Sequence, residues 1–113
     1  MNKEIIKALK DIGIPVYFIN KKDTKAKEYI IFSYTANPVK FADNEEDLTN
    51  ILVYINLYMK DNFLAMKKKI ETKMKELGYI RKAVPNAYYE EKLELYNQAL
   101  QFTKNIESGE LYE

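Results

Sequence analysis

Residues 48–79 read LTNILVYINLYMK, DNFLAMKKKIETKMKEL and GY, and the fold turns on them. The first dozen are dense in Ile, Leu, Val and Tyr with no Gly or Pro, which predicts a long strand. Ile51, Val53, Ile55, Leu57 and Met59 fall on one face, and Leu52, Tyr54, Asn56 and Tyr58 on the other. Both faces are largely apolar, so the strand calls for cover on both sides. Asp61 or Asn62 is placed to cap a helix whose apolar residues Phe63, Met66, Ile70, Met74 and Leu77 recur at spacings of three and four. Gly78 supplies the left-handed stop, with Tyr79 set to pack back over the last turn. A strand feeding an amphipathic helix through a short polar turn is half of an α+β layer.

Upstream, residues 2–11 form a short helix with Ile5, Ile6 and Leu9 on one side, stopped by Gly13 and by the restriction Pro15 places on Ile14. Its apolar side is suited to covering one sheet edge. Residues 16–19 make a short strand near that edge, because Pro15 cannot donate to a ladder. The connection NKKDTKAK at 20–27 is a solvated basic loop, with a specific anionic partner as the lesser alternative. A second strand, EYIIFSYT at 28–35, again has two mostly apolar faces, and Asn37-Pro38 marks a break before 39–41. ADNEED at 42–47 then reads as an exposed hairpin connection carrying Asp43, Glu45, Glu46 and Asp47. It lacks the Gly-turned spacing of a calcium loop.

Downstream of Gly78, YIRKAV predicts a strand up to Val84, followed by a turn at Pro85-Asn86. The segment 88–108 satisfies two periods at once. Tyr89, Leu93, Tyr96 and Leu100 fit a helix, while Leu100, Phe102 and residues 104–106 alternate as a strand does. Residues 107–113 read as a frayed end.

At 113 residues the chain is expected to be a single domain, with the 47% hydrophobic and 31% charged content of a folded globular protein. A formal charge of +1 argues against neutralisation of nucleic-acid phosphates as its main task. Arg81 is the one arginine among 18 basic residues, which weakens bidentate readout further. No Cys and no His are present, so thiolate chemistry, disulfides and the usual metal ligands fall away, and no metal or cofactor is expected. Proton transfer would be left to carboxylates, Lys or Tyr, and the lone Ser33 and Ser108 have no base partner, so no enzymatic activity is expected. No apolar run approaches the roughly 20 residues of a membrane span, and MNKEIIKALK lacks the apolar core of a secretory signal. Folding in the cytoplasm is the expectation.

The succession Pro-bounded strand, EYIIFSYTANPVKFADNEED, LTNILVYINLYMK, lysine-rich helix, GYIRKA and YYEEKLELYNQALQFT resembles the tail-completion, or tail terminator, proteins of long-tailed bacteriophages and prophages. The likeness runs over residues 14–107 and rests on pattern, since that family has no invariant catalytic motif. It implies an α+β subunit with a small mixed or antiparallel sheet of four to five strands flanked by two main helices. It also implies that the last segment, 97–106, is a strand. The functional implication is a hexameric ring in the virion, at the head-proximal end of the tail, assembled in the host cytoplasm. Such a ring caps the tail tube, stops its elongation and offers a docking face to the head-tail connector.

Beside that resemblance, the two-faced strands place Tyr29, Ile31, Tyr34, Leu52, Tyr54 and Tyr58 as the candidate subunit interface, since a ring subunit needs surfaces that a neighbour covers. Asp43, Glu45, Glu46 and Asp47 are the candidate lumen-facing loop, where like charge would keep passing DNA from sticking. The alternative is a small nucleic-acid-binding α+β module using Lys67, Lys68, Lys69 and Lys73 with nearby tyrosines for stacking. Those lysines also make a plain solvated helix face, aided by a pair such as Glu71–Lys75.

Overall fold

A strand of alternating β-branched and aromatic residues is most stable with a neighbour on each edge, and β3 (Leu48–Met59) has two long ones. On one side lies β2 (Tyr29–Val39), on the other β6 (Leu95–Glu107), both antiparallel to it. The computed structural model describes residues 2–20, 27–39 and 48–107. Beyond β2 lies the short parallel strand β1 (Val16–Phe18); beyond β6 lie β4 (Ile80–Lys82) and β5 (Tyr88–Glu90), both antiparallel to it. The result is a six-stranded mixed sheet in the order β1-β2-β3-β6-β4, more strands than the expected four to five. Among the described residues, two helices complete an α+β fold: α1 (Asn2–Lys10) and α2 (Phe63–Glu76).

Both helices pack on the same face of the sheet. There Ile51, Val53, Ile55 and Leu57 of β3 are fully buried with Ile30 and Phe32 of β2 and Leu100 and Phe102 of β6. α1 contributes Ile5 and Leu9, and α2 contributes Met66, Ile70 and Met74. Each such side chain stabilises the fold by about 1.5–3 kcal/mol, as an upper figure. Phe63 and Leu77 pack half-buried at the margins of the cluster.

The end of α2 follows the expectation closely. Gly78, at φ +91, donates to the Lys75 carbonyl, and Tyr79 donates to that of Met74, the paired bonds of a Schellman stop. Tyr79 then turns back into the core. From β6, Lys104 Nζ donates to the Leu77 carbonyl at 2.8 Å and lies 5.4 Å from the Tyr79 ring centre, adding a cation at the negative end of the helix. At the other end Asn62 takes the cap position in the left-handed region and makes no side-chain capping bond.

Two local expectations are corrected and one, the strand at 97–106, is met. β2 does not break at Asn37-Pro38: Asn37 pairs with Asn50 and Pro38 with Thr49. Ile30 donates to the Pro15 carbonyl and Ile19 to that of Phe32, so the even-numbered backbone groups of β2 point away from β3. Pro38 shares that parity, and its missing N–H removes no bond from the β2–β3 ladder. Next, the C-terminal segment is a strand from Leu95 to Glu107, with β5 folded against its start through a turn at 91–94. That excludes the helical alternative, and Glu107 closes the strand. Finally, Glu71 pairs with Arg81 at 2.8 Å and not with Lys75.

β4 and β5 occupy successive stretches of the same edge of β6, separated at 83–87 around Pro85. The buried Gln98 side chain donates to the Pro85 carbonyl at 3.2 Å and to that of Ala99 at 2.8 Å, which satisfies backbone oxygens where the ladder is interrupted.

Candidate functional site

With both helices on one side, the other face of the sheet has no layer over it among the described residues. Cross-strand register fixes what stands there. One row runs Tyr29, Tyr58, Asn97, Tyr88 across β2, β3, β6 and β5, with Tyr17 of β1 against its end. Further rows are Ile31, Asn56, Ala99; Ser33, Tyr54, Gln101, Lys82; and Thr35, Leu52, Thr103, Ile80. Asn37, Asn50 and Asn105 follow at the far end.

Tyr29 and Tyr58 stack with ring centres 4.7 Å apart, and Tyr17 meets Tyr29 edge-on at 6.3 Å. Rings stacked face to face across neighbouring strands shield one another. Tyr29 is only 5% exposed although no helix lies above it. Burial pushes the Tyr29 hydroxyl above its ordinary pKa, with Tyr58 adding to the rise. Burial likewise raises Tyr58, which also holds a hydrogen bond with Asn97. Asn50 Nδ2 donates to Thr103 Oγ1 and to Asn105 Oδ1, both at 2.9 Å, so the amide row is rigid too. Among the described residues, charge reaches this face only at its margins, through Lys82, Glu90 and Glu107.

Five of the six candidate interface residues share this face: Tyr29, Ile31, Leu52, Tyr54 and Tyr58. Tyr34 does not. It pairs with Val53 and packs on the helix side, 5.7 Å from Phe18. The alternation of β2 already assigns Tyr34 to the face of Ile30 and Phe32. Asp43, Glu45, Glu46 and Asp47 lie outside the described residues, as does most of the basic connection at 20–27.

Lys67, Lys68, Lys69 and Lys73 sit on α2, across the sheet from the Tyr29–Tyr58 row; Lys73 bonds Asp11 at 3.4 Å. Beside them, an open groove of about 530 Å3 runs between α2 and β4, lined by Lys68, Glu71, Lys75, Tyr79, Arg81 and Phe102. Composition alone did not point to this groove, because it depends on β4 lying next to α2. The exposed β5–β6 hairpin was equally hidden while 88–108 fitted two periods. Among the described residues, no group of His, Cys, Asp or Glu is arranged to hold a metal ion, and no helix is long and apolar enough to cross a membrane. Compared with known proteins, the chain matches no protein-family model and no curated sequence.

Proposed function

We propose that this chain is a structural subunit of the phage tail-terminator kind, which assembles through the open face of its sheet into a ring on the tail tube. One observation carries the reading. In a chain of which 31% is charged, the face spanning β1, β2, β3 and β6 is built of Tyr, Asn, Leu, Ile, Thr, Ser, Ala and Gln, with charge only at its margins among the described residues. A sheet face meant for water alternates with Lys and Glu. The core of a protein interface is depleted of charge and enriched in Tyr.

A surface of this kind on identical copies supports closed assembly, and a rotation that closes makes a ring. The resemblance over residues 14–107 supplies the rest of the reading: a hexamer, tail-tube protein on one side, the head-tail connector on the other, and DNA passing without specific binding. On this reading the protein catalyses no reaction. The nucleic-acid-binding alternative is less well supported, because the chain carries a formal charge of only +1 and the tyrosine row of the open face lies across the sheet from the α2 lysines.

Native mass spectrometry or light scattering across a concentration series, with and without tail-tube protein, tests the proposal. A discrete hexamer, alone or on the tube protein, is the expected result. A monomer at every concentration that ignores tube protein overturns it.

A further inference from the structure

We infer that copies of this chain engage one another by seating the β5–β6 hairpin of one in the α2–β4 groove of the next. The inference rests on the self-assembly reading above and names the contact that would join two copies. The hairpin is the most apolar exposed feature among the described residues: Tyr88, Tyr89, Leu93 and Tyr96 are all exposed, with Leu93 at the tip 49% accessible. Tyr96 stacks on Phe63 at 5.3 Å and Tyr89 meets Tyr96 at 5.2 Å, so the projection is braced from α2. Its turn is held by the bond from Glu94 N–H to the Glu91 carbonyl. The tip is also acidic, with Glu90, Glu91 and Glu94 against Lys92, and none of these forms an ion pair among the described residues.

The groove has the opposite character. Tyr79 and Phe102, 6% and 1% exposed, form its apolar floor. Lys68, Lys75 and Arg81 stand around it. Glu71, the acidic member, is already bonded to Arg81, which leaves Lys68 and Lys75 without an ion pair among the described residues. An acidic, aromatic projection and a basic groove with an apolar floor on one chain are complementary in charge between copies. The occupant is therefore a second copy. The hairpin also continues the open face, since Tyr88 pairs with Asn97 in the tyrosine row. One neighbour can thus meet both surfaces.

Charge reversal in two halves tests this. Glu91→Lys with Glu94→Lys makes the tip basic, and Lys68→Glu with Lys75→Glu makes the groove acidic; all four positions are exposed. Each double variant should lose self-association by about tenfold or more while keeping its melting temperature, because like charges then face each other. An equimolar mixture should recover assembly, since each tip again meets a groove of opposite sign. As a second readout, the chain has no cysteine, so Leu93→Cys mixed with Thr72→Cys should form one intermolecular disulfide under mild oxidation. Variants that assemble as the wild type does, or a mixture that fails to recover, overturn the hairpin contact and leave the self-assembly reading standing. A wild type that never associates, with or without tail-tube protein, overturns both.

Discussion

Tyr79 shows how much one side chain carries in this fold. It follows the Gly78 stop, donates its backbone N–H to the Met74 carbonyl, enters the core and lies under the Lys104 ammonium. Burial pushes its hydroxyl up to about 12 from an ordinary 10, with Glu4 and Tyr34 adding to the rise. The folded state therefore holds the neutral phenol more firmly than the unfolded chain does. That stabilisation is complete below pH 10 and is lost as pH rises from 10 through 12, an effect on the order of 2 kcal/mol. Tyr79→Phe keeps the ring and removes the titration. Denaturant melts should show wild type losing more stability than the variant across that window, above the lysine deprotonation common to both. Parallel pH profiles would mean the hydroxyl is as solvated in the fold as in the unfolded chain. At this scale the sequence was legible: Gly78 followed by an aromatic residue marks both the stop and the residue that returns over it.

At the scale of elements, the join between α2 and the sheet is the point most open to a sharp test. Gly78 sits at φ +91, and a Cβ placed there would meet the Lys104 side chain at an ordinary 3.5 Å. Crowding is therefore not the obstacle; the left-handed backbone is. Gly78→Ala should destabilise the protein by about 1–2 kcal/mol, read as a lower denaturant midpoint at unchanged slope. A neutral result would show that α2 can end without the Schellman bonds. The elements around it divide in a physical way. β3 and α2 were readable because each satisfies a single period over more than ten residues. β2 was read too short because Asn37-Pro38 is ordinarily a breaker, and only the direction of the Pro38 nitrogen makes it harmless. Periodicity left 88–108 open between helix and strand, because Tyr89, Leu93, Tyr96 and Leu100 fit a helix, and only the resemblance pointed to a strand at 97–106. What decided between them was tertiary pairing with β3, which no local period encodes.

For the whole molecule, the decisive feature is a sheet insulated by helices on one side and by its own tyrosines and amides on the other. Alternation along β2 and β3 made the second face visible in the sequence as an apolar surface in need of cover. It could not say that both helices go to the same side, because that depends on how the chain enters β1 from α1 and leaves β3 for α2. Tyr54 lies near the middle of the open face, opposite Ser33 on β2 and Gln101 on β6, and is half-buried. Tyr54→Lys places a flexible charge there that can lift into water in the free subunit, so stability should change by no more than about 1 kcal/mol. In an assembled ring the same ammonium would be buried against a neighbour without a partner, which is costly enough to break the contact. The expected pair of results is a near-normal melt and a loss of the hexamer in native mass spectra, while Lys69→Ala on the helix side leaves assembly intact. A Tyr54→Lys protein that still forms wild-type rings would move the interface off the open face. The sheet's uncharged side would then have to be explained by its own stacked rings alone.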